Sequence, residues 1–572
     1  MNRTHGRDSH VCGIAGILDK RGVNATPLIR PMLETIKHRG PDGYGLLVGN
    51  STQRARTLEE LDYTSQNDRT VGHARLAIVG GPSGAQPLEG CKEGLVVFHN
   101  GEIYNHKLLR KELESTHRFE TFSDSESIVH LLEDHYNGNL RNALAKTLQR
   151  LDGVFAIAAL DNNELMIARD VMGVKQLYVA ENPSHIAFAS ERKALWSIGS
   201  NSNGDRLPPG HIGILSKNGL KLERFREPPV SNACNAISEA EDAIKKYATA
   251  LRNAVSKRVD DMEHVGVIFS GGVDSVLLAK LIKDVGTDFT CYCAGTEHSS
   301  DLRHARLAAS KLGFKLKANS LDTQKVEEYL PTVISTIEDR SFGQVDVALP
   351  VYAAVEAAYE DGVRVMLTGQ AADELFGGYP WYRVIANKEG YEKLDSYLID
   401  DLLQLYKETL EREDKITMAH SIELRVPYLD SDVVRVATSI SAELKLPPRD
   451  ITDKRIHREA ALRLGVPQEL AFRVKQAAQH GSGAHMLLEE LALKHGFTQA
   501  SANSMGYSAE KDGPEALGSC WRYGYIYLPE QELRAPDNIQ LYLDTIAYEN
   551  RLTSKGDRLL LDEILSKRTH AA

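Results

Sequence analysis

The sequence predicts two domains of different class: an α+β half of layered β-sheets with helices, then an α/β half whose helices cover a parallel sheet. Three observations carry this. Residues 11–215 run as short apolar segments (VCGIAGIL, GHARLAIVG, GLVVFHNGEIYN, VFAIAAL, ELMIARD) parted by Gly, Pro, Asn and Asp turns, a pattern of packed sheets with few helices. Residues 216–237 are polar and hold Pro228-Pro229, which marks a linker. From residue 265 onward strands and helices alternate, which argues for parallel strands with ligands at their carboxyl ends. The expected bounds are 12–215, a linker at 216–237, and 238–572.

Within the second half, Ile244, Tyr247, Ala248, Leu251, Val255 and Val259 recur at helical spacing with charges between them. The apolar run at 265–269 then suits a strand buried on both faces. Ser270, Gly271 and Gly272 follow, placing residues with little or no side chain where a backbone must pass close to something. VLLAKLIKDVG continues as a helix ending at Gly286. A strand, a small-residue turn and a helix N-terminus make a cradle of free N–H groups for an anion. Asp274 and Ser275 sit in that cradle, and a carboxylate there would repel a phosphate unless a cation lay between, so the motif implies Mg²⁺. No Gly-Lys-Ser/Thr follows, so this is not a Walker A loop. Further on, helices are expected at 301–312 and 323–338, strands near 314–320 and 363–369, and a largely helical stretch over 480–572.

The bulk numbers exclude several classes. A chain of 572 residues has room for two separate cores. A net charge of −11 gives no sign of a nucleic-acid or anionic-membrane surface. No apolar run approaches the roughly 18–20 residues of a membrane span, and the polar start MNRTHGRDSH lacks the apolar centre of a signal peptide. Six cysteines (Cys12, Cys91, Cys234, Cys291, Cys293, Cys520) are too scattered for a disulfide framework, and Cys291 and Cys293 read as one face of a strand. A cytoplasmic location is expected.

Cys12 opens the first apolar strand, and HRGPDG (38–43), GHARLAIV (72–79), HNGEIYNH (99–106) and SDSES (123–127) follow in order. This succession resembles the glutaminase domain of class II amidotransferases, which implies the N-terminal-nucleophile hydrolase fold. SGGVDS resembles the pyrophosphate loop of the N-type ATP pyrophosphatases, implying an adenine-nucleotide α-hydrolase-like second domain. Joined, the two halves resemble the glutamine-hydrolysing asparagine synthetase family from residue 12 to about 485. The resemblance implies that Cys12 attacks the glutamine amide and that Asn100 and the Gly101 N–H hold the oxyanion. It implies that Arg75 takes the substrate α-carboxylate, that Asp124 takes its ammonium, and that Glu102 also lines the glutamine site. A free α-amine, with a pKa of about 8, would be the base for its own thiol. Val11 precedes Cys12 here, so two routes to that amine stay open: removal of an eleven-residue propeptide, or initiation at a valine codon read as Met.

LTGQAADELFGGY (367–379) resembles the family's second nucleotide motif, usually SGEGADE or TGEGADE. The resemblance implies that Asp373 joins Asp274 on Mg²⁺, that Thr368 and Gly369 line the ATP site, and that Ile268 and Ala294 meet the adenine through backbone atoms. Gln370 stands where the family usually has Glu; it can hydrogen-bond but cannot act as a base. HSIELRVPYLD (420–430) resembles the family segment that sets an arginine, here Arg425, near the acidic motif, and RVKQAAQHGSG (473–483) resembles the loop whose lysine, here Lys475, faces the leaving pyrophosphate.

The expected activity is ATP-dependent amide formation. Aspartate and ATP give β-aspartyl-AMP, and ammonia made at Cys12 and passed internally gives asparagine. The partners implied are small molecules (glutamine, aspartate, ATP), with no nucleic acid or membrane and room for a homodimer. Amidation of another carboxylate, or a non-catalytic glutamine- and nucleotide-binding regulator, stays open beside it.

Overall fold

The computed structural model describes residues 10–77, 84–91, 94–200, 204–231, 237–473, 481–514, 523–524, 526–528 and 535–566. The chain forms two compact units, Met1–Pro228 with Ser554–Gly556, and Pro229–Thr553 with Asp557–Ala572.

The first unit stacks two antiparallel sheets between helices. Its strands are β1 (His10–Asp19), β2 (Gly43–Val48), β3 (Ser51–Ala55), β4 (Arg69–Ala77), β5 (Leu88–Glu89), β6 (Val96–Ile103), β7 (Gly153–Leu160), β8 (Leu165–Arg169), β9 (Tyr178–Glu181), β10 (His185–Ala189), β11 (Asp205–Arg206), β12 (His211–Ser216) and β13 (Gly219–Arg224). One sheet runs β11-β9-β10-β1-β4-β2-β3, the other β13-β12-β8-β7-β6-β5. Strand side chains alternate between faces, so a strand covered on both sides must be apolar at every position. β1 obeys this: Ile14 and Leu18 join Phe98, Ala158 and Ile167 in the layer between the sheets. Its Ala15 and Ile17 instead face helices α1 (Thr26–Ile36) and α5 (Arg192–Ser197). On the far side, Phe155 and Ile157 of β7 pack against α2 (His106–Leu113), α3 (Glu126–His135) and α4 (Leu140–Arg150). The result is a helix–sheet–sheet–helix sandwich, the layered α+β class expected from the short apolar runs.

The expected linker at 216–237 needs correction at its start, because β13 lies inside it. β13 is an edge strand paired only to β12, so most of its side chains stay in solvent and its sequence reads as polar.

The second unit opens with α6 (Ala240–Val259) and alternates β14 (His264–Ile268), α7 (Val273–Val285), β15 (Asp288–Gly295), α8 (Ser300–Leu312), β16 (Lys315–Ser320), α9 (Thr323–Ile337), α10 (Phe342–Glu360), β17 (Val365–Leu367) and, later, β18 (Glu423–Arg425). The sheet is wholly parallel with order β16-β15-β14-β17-β18. The chain therefore starts in the middle, builds outward one way, then returns to build the other, and the crevice between β14 and β17 is the switch point where such folds bind ligands. α7 ends at Gly286 with φ +94, its N–H donating to the carbonyls of Ile282 and Lys283, as the glycine there predicted. The C-terminal stretch belongs to this unit's core. Helices Ala484–Lys494 and Asp537–Glu549 pack on α9 and α10, and Arg340 Nε donates to Asp544 Oδ1 at 3.0 Å. No helix among the described residues is long and apolar enough to cross a membrane.

Candidate active sites

Cys12 and Arg75 are direct partners across the β1–β4 ladder, and both are buried. Residues opposite one another in an antiparallel pair project from the same face, so the register alone sets these two side chains next to each other on one face. The second sheet supplies Asn100, Gly101 and Glu102 from β6. Ser190 ties the sheets together, its Oγ accepting from Ile14 N at 3.0 Å and from Asn100 Nδ2 at 3.4 Å. The Asn100 amide is thereby held near the strand that carries Cys12. Gly101 has φ +149, and a Cβ there would lie 2.0 Å from the Val154 carbonyl oxygen, so only glycine fits beside the amide.

Asp124 immediately precedes the first turn of α3. Its Oδ2 accepts from Ile103 N at 2.8 Å, and its Oδ1 accepts from Ser125 Oγ at 3.2 Å and Ser123 Oγ at 3.3 Å. Ser125 in turn meets His99 Nδ1 at 2.7 Å. Burial pushes the His99 imidazole down to about 4, with the Asp124 charge opposing and Lys175 assisting, so the ring is neutral at neutral pH. Of the residues expected at the glutamine site, the register joins Cys12 to Arg75, Ser190 joins Asn100 to that strand, and Ile103 joins Asp124 to the end of β6.

One support was not legible in advance. Arg39 Nε donates to the Cys12 carbonyl at 3.3 Å, while its Nη1 lies 2.9 Å from Glu191. Burial works against the charge on Glu191, yet His38, Lys193 and Arg39 hold it well below the usual carboxylate range. HRGPDG therefore contributes a buried cation that fixes the backbone under the thiol.

In the second unit, Gly271 has φ +69, and a Cβ on it would come within 2.6 Å of the backbone at His304 and Ala305. Gly272 caps α7, and Ser275 Oγ donates to its carbonyl at 3.1 Å. Ile268 and Ala294 sit at the carboxyl ends of β14 and β15. The loop after β17 meets this turn, since a Cβ on Gly369 would touch the Asp274 Cβ at 3.1 Å. Arg425 pairs with Leu367, and its carbonyl accepts from Thr368 N at 3.2 Å, while its guanidinium reaches the Arg258 carbonyl. Lys475 lies outside the described residues.

The two carboxylates expected on Mg²⁺ converge on one point, where the ammonium of Lys454 lies. Its Nζ is 2.9 and 2.8 Å from the oxygens of Asp274 and 2.7 Å from Asp373 Oδ1. His457 Nε2 adds a contact to Asp274 Oδ1 at 3.0 Å, and Tyr247 OH is 2.7 Å from His457 Nδ1. Burial holds the His457 imidazole below its usual range, with the Asp274 charge opposing. Two hard oxygen donors converging at the phosphate end of a nucleotide cradle fit a divalent cation.

Gln370 and Ala371 occupy the turn before a short helix, Ala372–Phe376. Gln370 Nε2 donates to Glu413 Oε1 of the helix Thr409–Ala419. Burial pushes the Glu413 carboxyl above its ordinary range, against the pull of Arg412 and Gln370. Ala371 holds φ +77, where the motif pattern has glycine. A Cβ in that region costs about 1–2 kcal/mol. Ala371→Gly is therefore expected to raise unfolding free energy by up to about 1 kcal/mol, after the extra entropy glycine brings to the unfolded chain. Urea titration checks this, and equal midpoints would show that no strain is stored there.

Together, a buried thiol site in a helix–sheet–sheet–helix sandwich and an anion cradle at a parallel-sheet switch point define a glutamine amidotransferase joined to an adenine-nucleotide fold. Family models match accordingly: "Glutamine amidotransferase domain" over residues 11–207 and "Asparagine synthase" over 246–511. A Methanocaldococcus jannaschii protein named putative asparagine synthetase [glutamine-hydrolyzing] 1 is 35% identical over 545 residues, covering 86% of this chain and 97% of that one. Asparagine synthetase [glutamine-hydrolyzing] 1 of Arabidopsis thaliana is 30% identical over 494 residues, covering 83% and 78%. A solved structure of glutamine phosphoribosylpyrophosphate amidotransferase from B. subtilis, complexed with ADP and GMP, aligns over 50% of this chain and 67% of its own at 22% identity and TM-score 0.34. The chain belongs to the glutamine-hydrolysing asparagine synthetase family.

Proposed function

We propose that this chain makes asparagine from aspartate, glutamine and ATP, releasing glutamate, AMP and pyrophosphate. The observation that carries the reading is one polypeptide holding both Cys12 opposite Arg75 and Asp274 with Asp373 around one cationic point. In the first unit the Cys12 sulfur bonds the glutamine amide carbon, the C–N bond breaks, and ammonia leaves with the thiol proton. Asn100 Nδ2 and the Gly101 N–H stabilise the oxyanion, a term worth about 3–4 kcal/mol per donor in such sites. Water then cleaves the thioester to glutamate. Arg75 pairs with the substrate α-carboxylate, Asp124 with its ammonium, and Glu102 lines the same site. The α-amine that serves Cys12 as base exists once residues 1–11 are absent, because β1 runs through His10 and Val11 as paired backbone.

In the second unit a β-carboxylate oxygen of aspartate attacks the α-phosphorus of ATP and pyrophosphate departs. Ammonia then attacks the acyl carbon, and AMP leaves. Ser270, Gly271, Gly272 and Ser275 cradle the phosphates, Thr368 and Gly369 close the crevice, and Ile268 and Ala294 flank the adenine. Asp274 and Asp373 would hold Mg²⁺, which when bound spreads the charge of the leaving pyrophosphate. Lys454 neutralises the same carboxylates, and Lys475 is assigned to the pyrophosphate. A cysteine nucleophile needs reducing surroundings, so we assign the chain to the cytoplasm.

Glu413 favours aspartate as the acceptor. A carboxyl group does stand at the activation motif, delivered by a separate helix and hydrogen-bonded to the Gln370 amide. Gln370→Glu would press two carboxylates together and is expected to lower both stability and AMP formation. Adding Glu413→Gln should restore most of the loss, with a coupling of about 0.5–3 kcal/mol in a double-mutant cycle. Additive effects would separate Glu413 from this site.

The direct test supplies glutamine, ATP and Mg²⁺ with aspartate, or with other acids, to protein starting at Cys12. Asparagine, AMP and pyrophosphate in equal amounts are expected with aspartate. Glutamate release without AMP would overturn the reading.

A further inference from the structure

The first unit carries a side-chain cluster that the amidotransfer chemistry does not use. Cys91 follows the short strand β5, His117 follows α2, and His130 and Glu133 share one face of α3 at a spacing of three. One donor atom from each of the four lies within 4.8 Å of every other. Cys91 is exposed, and the other three are buried.

The separations come within about 0.4 Å of a zinc tetrahedron's edges. Zinc bonds of about 2.0–2.3 Å to nitrogen, oxygen and sulfur imply ligand-to-ligand edges of roughly 3.3–3.7 Å. Here Cys91 Sγ to His130 Nδ1 is 3.8 Å, His117 Nδ1 to Glu133 Oε2 is 3.1 Å, and His130 Nδ1 to the same oxygen is 2.9 Å.

The outer contacts point the same way. Each ring turns its other nitrogen to a separate carboxylate, His117 Nε2 to Asp134 Oδ1 at 2.8 Å and His130 Nε2 to Glu126 Oε1 at 3.5 Å. A carboxylate behind a histidine is the usual arrangement for orienting a metal-bound imidazole. Both Nδ1 atoms lie against the same Glu133 oxygen, so two ring nitrogens and a carboxylate converge on one buried point beside the Cys91 sulfur. A divalent cation at that point would be shared by all four side chains.

We propose that Cys91, His117, His130 and Glu133 bind a zinc ion in a structural site. One thiolate, two imidazoles and one carboxylate favour zinc over magnesium or calcium, which take oxygen ligands. The four protein ligands leave no position open for substrate, so the site is a clamp. It joins the loop at Cys91 and the loop at His117 to α3, whose first turn follows Asp124. Metal stoichiometry tests the site whatever the role of Asp124 proves to be.

The experiment uses the full chain without a histidine tag, grown with zinc and dialysed against metal-free buffer. Elemental analysis is expected to find roughly one zinc per chain, and cobalt exchange to give a sulfur-to-cobalt charge-transfer band. Cys91→Ser, at an exposed position, should abolish that band and weaken zinc retention at least about tenfold. His130→Ala should remove the metal, with circular dichroism reporting whether it still folds. Protein that holds no zinc after growth with zinc and dialysis against metal-free buffer would overturn the proposal. So would zinc content and a cobalt spectrum unchanged in Cys91→Ser.

Discussion

Replacing Cys12 with Ala is expected to lower glutamine-dependent asparagine formation by about a thousandfold or more, in line with the loss of nucleophiles in other hydrolases, and to leave ammonium-dependent formation intact. The asymmetry follows from where the thiol sits. It lies on β1 of the first unit, opposite Arg75, while the anion cradle and its acidic pair follow β14 and β17 in the second. Ammonium added to solution bypasses glutamine cleavage, so only the step proposed for Cys12 should fail. The change removes one sulfur from a buried position and should cost little in stability. Parallel assays of glutamate release and of asparagine formation from glutamine or ammonium chloride check it. Glutamate release at the parent rate would show that another group carries the attack, whereas equal loss with both nitrogen donors would point to a folding defect.

Lys454→Met should destabilise the second unit by about 3–5 kcal/mol, the range for stripping a buried ion pair of one partner. The Lys454 side chain is 1% exposed and those of Asp274 and Asp373 are 19% and 17%, so little solvent is at hand to take over its role. Methionine keeps most of the length of the side chain and removes its charge, which leaves two carboxylates facing each other. AMP formation should fall with it. Combining Lys454→Met with Asp274→Asn should cost less than the sum of the single changes, since the repelling pair no longer exists. Guanidinium titrations of the four proteins check this; strict additivity would mean that the ammonium and the carboxylate do not interact as the distances suggest.

Much of this arrangement could be read from residues alone where local chemistry repeats a known physical solution. The apolar run before Ser270, the glycines and the following amphipathic stretch specify a strand, a turn and a helix within a few residues, and the structure has them. The sandwich was legible for the same reason, because β7 and residues 11–18 of β1 are apolar throughout. What stayed hidden comes from distant segments without a local signature. Lys454 lies 180 residues from Asp274, as an ordinary lysine in a polar stretch. Glu413 is one of several charges in LEREDK, and only tertiary packing turns it toward Gln370. The Cys91 cluster draws on four positions with no repeated spacing, so counting cysteines passes it by.

The middle position of β14 has a consequence for how the molecule is made on the ribosome. Gly266 gains its second neighbour, Met366, only after about a hundred further residues have emerged. Until then one edge of a hydrophobic parallel ladder is open to other chains, and such long-range pairings close slowly. During synthesis the first unit can finish early while this half waits with an adhesive border. Translation stalls or truncations between β14 and β17 are thus where this polypeptide is most prone to aggregate and where chaperones would be needed.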